Sequence, residues 1–341
     1  MRKKMIVVVS ARGGVLRLAP IIKAIREAEA FEVVIVMMTT HADLVEDALR
    51  SVSLEADIAI AITESDPTEL AVRKLTQLNH IIENENPDVL LVQGAKQPSF
   101  LASLAAHYHQ FPVVSMEAAS SRQGGFNRRL INQIADLILV RDDNQVAEFT
   151  KQEVAGKVQA IGNISPVAFE ELGVKQPPVK TDQVLLTLHR SNLAGQTMRQ
   201  IIRTIRNVFE AYPQYQIVFP SADDYLMRIS AQEILADDPK ATIIDTQPVL
   251  KFHELLLASH IVITDSLGVE EEAKTAGKPV LFISTDPQVS APQLFRNLTE
   301  LIENLDQFIA PVESSANVLD NAVKAIVELV DGCEPTDTES L

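Results

Sequence analysis

Asp265-Ser266-Leu267-Gly268 lies between an apolar β-branched run, Ile261 to Thr264, and a stretch of helical pattern that closes at Gly277. A turn at the carboxyl end of a parallel strand is where open α/β sheets bind ligands, and the first N–H groups of the following helix suit a phosphate. Glu270, Glu271 and Glu272 crowd the first turn of that helix. Acids there either offset the helix dipole or supply one contact to a polar partner such as a ribose diol. Three other strand ends carry reactive types. Ser10-Ala11-Arg12-Gly13-Gly14 combines glycines, which permit close ligand approach, with a charge-assisted donor. Thr187-Leu188-His189-Arg190 places a histidine and an arginine side by side, and Met116-Glu117-Ala118 places a carboxylate after the run Val113 to Met116.

Positioning these residues requires alternating strands and helices. The apolar runs predict strands at Met5–Val9, Glu32–Met38, Asp57–Ile62, Asp88–Gln93, Val113–Met116 and Leu137–Val140. Helical stretches fall between them, ending near Ala28, over Ala42–Ser51, from Asp66, over Ser99–Tyr108 and from Asn127. Asp66-Pro67-Thr68-Glu69 is a strong helix start, with an acid as cap, proline at the first position and glutamate at the third. Ala71, Leu75, Leu78 and Ile82 then give a buried stripe. Adjacent prolines in Val174 to Asp182 mark a linker. A second series follows: strand Gln183–Thr187, helix Gln196–Ala211, strand Gln216–Phe219, helix Tyr225–Leu235, strand Ala241–Ile244 and helix Lys251–Ala258. The stretch from Ile261 comes next, its second strand at Pro279–Ile283, and a final helix carries Leu319, Val323, Ile326 and Val330. The expected architecture is α/β, two doubly wound Rossmann-like domains facing a central cleft. Their expected spans are 1–173 and 183–331, with 174–182 as linker and 332–341 as a disordered acidic tail.

Composition narrows the partners. The chain has 341 residues, 46% hydrophobic and 22% charged, which suits a two-domain globular protein. A formal net charge of -16 opposes binding to nucleic acid or to an anionic membrane. An anionic small substrate then needs local arginines and backbone N–H groups. No apolar run reaches the length of a membrane span and no signal peptide is evident, so a cytoplasmic location is expected. The single cysteine, Cys333, rules out an internal disulfide. The seven histidines show no recognised metal-ligand spacing with carboxylates, so neither metal nor cofactor is implied.

The segments Thr264-Asp265-Ser266-x-Gly268-Val269-x-Glu271-Glu272-Ala273 and Gly277-Lys278-Pro279-Val280-Leu281 resemble the uridine-ribose and diphosphate region of the non-hydrolysing UDP-N-acetylglucosamine 2-epimerases. That family has a glycosyltransferase-B type fold and commonly dimerises, so a homodimer is expected. By this resemblance Ser266 and Gly268 face the diphosphate and Glu272 takes the ribose hydroxyls of a UDP-sugar. Arg12 with Ala19-Pro20 matches the family's first turn. His189-Arg190 matches the centre of its Gly-His-Arg-Arg-Glu segment, with Arg190 on the diphosphate and His189 neutralising charge that develops there. Glu117 matches an acid/base glutamate, and Asn127-Arg128 match the end of Pro-Glu-Glu-x-Asn-Arg.

Several positions depart from the family pattern, among them Gly13-Gly14 in place of a Pro-Glu pair and Ala119, Ser120 and Ser121 after Ala118. Leu267 replaces a glycine, Ala95 stands where an acid/base aspartate is expected, and Gly124-Gly125 replace the glutamate pair. Ser221-Ala222-Asp223 lacks the histidine expected after Phe219-Pro220. The family interconverts UDP-N-acetylglucosamine and UDP-N-acetylmannosamine by eliminating and re-adding UDP, which needs one group to remove the C2 proton and another to return it on the opposite face. Each missing acid/base group typically removes about 10²–10⁴-fold in rate. The resemblance therefore implies either an epimerase that retains Glu117 or a nucleotide-sugar-binding homologue without catalysis. A glycosyltransferase using the same cleft is a weaker alternative.

Overall fold

The computed structural model describes residues 2–60, 66–116, 125–152, 154–174, 182–188, 196–221, 225–283, 290–309 and 316–332. The chain divides into two compact units, Met1–Leu172 with Ser314–Leu341, and Gly173–Glu313.

In the first unit β1 (Lys4–Val9), α1 (Arg12–Glu27), β2 (Glu32–Met38), α2 (Ala42–Ser51), β3 (Ile58–Ile60), α3 (Pro67–Glu85), β4 (Val89–Gln93) and α4 (Gln97–Tyr108) alternate as the apolar runs require. β5 (Val113–Met116), α5 (Phe126–Ile134), β6 (Leu137–Val140), α6 (Asp143–Thr150), β7 (Lys157–Ala160) and α7 (Ser165–Glu171) complete it. The strands pair in parallel in the order β3-β2-β1-β4-β5-β6-β7. Strands buried on both faces explain the near-continuous valine, isoleucine and leucine of β1 and β4, each covered by helices. Asp66 caps α3 by accepting from the N–H groups of Thr68 and Glu69, at 2.8 and 2.9 Å. α6, β7 and α7 are additions to the sequence expectation. β7 is a partly exposed edge strand, Lys157-Val158-Gln159-Ala160, and its short polar pattern gives little period-2 signal.

The second unit contains β8 (Gln183–Thr187), α8 (Gln196–Glu210), β9 (Gln216–Pro220), α9 (Tyr225–Leu235), β10 (Ala241–Ile244), α10 (Val249–Ala258), β11 (Ile261–Thr264), α11 (Leu267–Thr275), β12 (Val280–Phe282) and α12 (Ala291–Glu303). Its parallel sheet runs β10-β9-β8-β11-β12. Met198, Ile202, Ile205 and Phe209 of α8 pack with Leu294, Leu298 and Leu301 of α12 in one apolar core.

The last helix, α13 (Val318–Gly332), belongs to the first compact unit. Its apolar stripe, Val318, Ala322, Ala325, Ile326 and Val330, is buried. Asn321 Nδ2 donates to the Ile161 carbonyl at 3.3 Å, and Lys3 Nζ reaches Asp331 at 2.8 Å. Gly162, at φ +103°, lies so near α13 that an added Cβ would come within 2.7 Å of Val318 Cγ2. Among the described residues no helix is long and apolar enough to cross a membrane.

Candidate functional site

Both sheets reverse their strand order, the first between β1 and β4 and the second between β8 and β11. Crossovers leave such a point in opposite directions and open a crevice at the strands' carboxyl ends, where ligands bind. Each unit therefore carries one candidate binding edge.

In the second unit that edge is organised by a short hydroxyl relay. Parallel register places Thr187 beside Thr264, and Thr187 Oγ1 donates to Thr264 Oγ1 at 2.8 Å. Thr264 Oγ1 also accepts from the Ser266 N–H at 3.0 Å, and Ser266 Oγ caps α11 by a long contact of 3.5 Å with the Val269 N–H. Asp265 is fully buried, its N–H bonded to the Thr187 carbonyl at 3.3 Å. These bonds fix the turn so that the first N–H groups of α11, those of Leu267 and Gly268, lack acceptors within the helix and point past the strand end. Gly268 is the second helical residue and Leu267 the first, partly exposed.

The three glutamates have separate environments. Glu270 Oε1 accepts an ion pair from Lys274 at 2.8 Å, and Glu271 is buried. Glu272, its side chain 16% exposed, approaches His253 Nε2 to 3.3 Å. His253 on α10 is almost fully buried, and its Nδ1 lies 2.8 Å from the Val249 carbonyl. Sequence spacing does not reveal this pair, because β11 separates its members along the chain and no local period relates them.

In the first unit Arg12 opens α1 and Gly94-Ala95-Lys96 lead from β4 into α4. Gly14 lies against β4's last residue: an added Cβ would stand 3.1 Å from Gln93 Oε1. Neither Ala11 nor Lys96, the residues before α1 and α4, makes a side-chain cap, and neither helix has an acid in its first turn. Lys96 has no ion-pair partner among the described residues. Desolvation of its inner part, and then the positive charge of Arg12, hold it below the ordinary lysine range, an effect that solvent weakens because the residue as a whole is exposed. In the sequence the mark of Lys96 is weak: a lysine at the cap position of a helix that follows a central strand. Behind this edge, buried Lys74 on α3 donates to Gln97 Oε1 at 2.8 Å, and desolvation lowers its pKa.

Ala95 occupies the β4–α4 turn, and Gly125 is the residue before α5. Gly125 has an ordinary φ of -63° and nothing within 4 Å of an added Cβ. Asn127 is half-buried and Arg128 buried on the first turn of α5. The expectations at Glu117, His189 and Arg190 lie outside the described residues, as do those at Gly124, the linker core 175–181 and the tail from 333. Among the described residues no cluster of histidine, cysteine and acids could hold a metal ion.

A family model described as UDP-N-acetylglucosamine 2-epimerase matches residues 23–312. A UDP-N-acetylglucosamine 2-epimerase of Bacillus subtilis (strain 168) is 27% identical over 82% of this chain and 78% of its own length. One of Neisseria meningitidis is 24% identical over 95% of this chain and 98% of its own. Among solved structures, the Neisseria meningitidis UDP-GlcNAc 2-epimerase bound to UDP-GlcNAc superposes with a TM-score of 0.83 at 23% identity, covering 95% of this chain and 98% of that one. The S. aureus MnaA-UDP co-structure superposes with a TM-score of 0.85 at 23% identity over 98% of this chain and 99% of that one.

Proposed function

From the premise that this chain belongs to the UDP-N-acetylglucosamine 2-epimerase family, we propose that it binds UDP-N-acetylglucosamine and inverts C2 by eliminating and re-adding UDP. The observation that carries the binding half is the β11–α11 edge, where a hydroxyl-braced turn presents helix N–H groups for a diphosphate. Glu272 takes the ribose hydroxyls in this reading, Ser266 and Gly268 the diphosphate. Arg12, Lys96 and Arg190 add the positive charge that a dianionic substrate needs in a protein of net charge -16.

The chemistry is a proton transfer coupled to C–O cleavage. A base takes the C2 proton, the C–H electron pair becomes the C1–C2 double bond, and UDP departs with the electrons of the C1–O bond. Re-addition with protonation on the opposite face gives the manno epimer. Glu117 is the acid/base carboxylate retained from the family pattern, and His189 with Arg190 offsets the charge growing on the leaving diphosphate. Only protons and UDP move, so no cofactor enters. The protein is cytoplasmic and a homodimer in this reading, and sedimentation velocity tests the second point.

Incubation with UDP-N-acetylglucosamine, followed by NMR of the anomeric protons, is expected to show the UDP-N-acetylmannosamine signals growing to a constant ratio. A second reading, a nucleotide-sugar binder without turnover, is favoured by Ala95 and by the empty space beside Gly125, where the family pattern has carboxylates. Its mark is ligand line broadening with no second epimer.

A further inference from the structure

We infer that the layer between β5 and α5 is a binding site for ordered water, held by Ser115 and Asn132, and that this water fixes the start of α5, the helix that carries Asn127 and Arg128. The inference does not depend on the proposed activity.

Two buried side chains in this layer carry unmet polar atoms. Ser115 is fully buried and Asn132 is 2% exposed. Among the described residues, neither Ser115 Oγ nor Oδ1 and Nδ2 of Asn132 have a hydrogen-bond partner. Left so, each residue would lower the folding equilibrium constant by about tenfold or more. The two stand on facing elements. Parallel register sets Ser115 beside Val92 and Ile138, which share one apolar layer with Ala135, the residue after α5. Asn132 lies on the buried side of α5 with Ile131. Asp136 ties the end of the helix to β5: its N–H donates to the Val113 carbonyl at 2.9 Å, and its Oδ2 accepts from the Val113 N–H at 2.8 Å. From that tie Ser115 is two residues along β5, about 7 Å, and Asn132 is four residues back along the antiparallel helix, about 6 Å, so both stand at one height.

The guest must both donate and accept. Ser115 offers a hydroxyl, and Asn132 offers an oxygen that only accepts and an amino group that only donates. An anion would oppose the Asn132 oxygen. A cation would oppose the buried charge of Arg128, four residues earlier on the same side of α5. Water suits all three atoms, which supply the two to four polar partners that buried water needs. Small side chains leave it room: α4 packs beside α5 and brings Ala102, Ala105 and Ala106 to this core, and Ser115 itself stands between the branched Val92 and Ile138. Bridged to β5 at Asn132, α5 is held at its middle, and its first turn with half-buried Asn127 takes a fixed place at the carboxyl end of β5.

The test is a double-mutant cycle by urea unfolding of the full chain: wild type, Ser115→Ala, Asn132→Leu and the double variant, leucine having the branched shape of asparagine. Each single variant is expected to lower the folding equilibrium constant about tenfold, because it takes one partner from a shared water and leaves the other polar group unmet. The double variant is expected to lose no more than either single one, since both polar groups are then gone. A single variant at least as stable as wild type overturns the inference, because a polar group without a guest is better removed. A double variant whose loss is the product of the two, about a hundredfold, overturns it as well, because the groups then share nothing. Amide hydrogen exchange reads the effect on α5: Leu130 to Ile134 should exchange about tenfold faster in each single variant relative to α3, and an unchanged ratio overturns the role at α5. Should the variants fail to fold, a crystal structure of wild type that resolves ordered water decides. Density bridging Ser115 Oγ and the Asn132 amide supports the inference, and a direct bond between the two side chains or a dry contact overturns it.

Discussion

The two sheet edges have the same topology and opposite electrostatics. At the β1/β4 edge, α1 and α4 start without side-chain caps or first-turn acids, and two cations, Arg12 and Lys96, stand close enough to depress the lysine. At the β8/β11 edge, α11 starts under a serine cap and carries three consecutive glutamates, each in its own environment. One edge attracts negative charge through the field of its side chains. The other combines backbone N–H groups with a carboxylate suited to hydroxyls.

Restoring the missing acids would break the contrast most strongly. Ala95→Asp combined with Gly125→Glu, the second placed in open space at an ordinary φ, is expected to raise the epimerisation rate about 100-fold, within the range a positioned acid/base group contributes. Steady-state kinetics on the double variant measures this, and an unchanged rate would mean that neither position faces the reacting carbon.

Lys96→Met sharpens the electrostatic side. It should weaken UDP binding by about tenfold at low salt and flatten the dependence of affinity on ionic strength, since a screened charge has been removed. Ser266→Ala at the opposite edge should leave that salt slope unchanged. Titrations at two salt concentrations separate these outcomes.

Lys74→Met tests the buried cation behind the first edge. Methionine keeps the volume without the desolvation, so stability at neutral pH should rise by about 1 kcal/mol. Burial lowers the folded-state pKa of Lys74, so between that value and the ordinary one the unfolded chain binds more protons. Wild-type stability therefore rises with pH across that window. The advantage of the methionine variant is full below it and fades toward the ordinary lysine value, which urea unfolding at several pH values would reveal.

The smallest effect is expected from Ser266→Ala. A cap at 3.5 Å is long, and its loss should cost about 0.5 kcal/mol, at the low end for helix caps, measured as a fall in the urea midpoint.

The fold was legible where burial leaves a mark on residue types. β1, β4 and β11 are near-continuous runs of apolar residues because both faces are covered, and α3 announces itself through Asp66 and Pro67. Legibility failed where tertiary context decides. β7 is an exposed edge with no alternation, and α12 follows a stretch that gave no start signal except Ser290 and Pro292. α13 has the stripe of an amphipathic helix, but its partner surface includes Ile161 and Gly162, more than 150 residues earlier, which no local pattern encodes. The same holds for the site. Ser266 and Glu272 could be singled out from a turn and a run of acids, whereas His253 gains its meaning only when α10 and α11 lie together.

The most direct measurement is wash-in of solvent deuterium at C2 of UDP-N-acetylglucosamine, followed by NMR in heavy water with the unmodified protein at high concentration. Proton abstraction from C2 is the step that defines the reaction, so the account predicts that the C2 proton signal decays as UDP-N-acetylmannosamine, also deuterated at C2, appears. A C2 signal that persists undiminished while the nucleotide resonances broaden would contradict it, leaving a protein that binds the sugar nucleotide and does no chemistry on it.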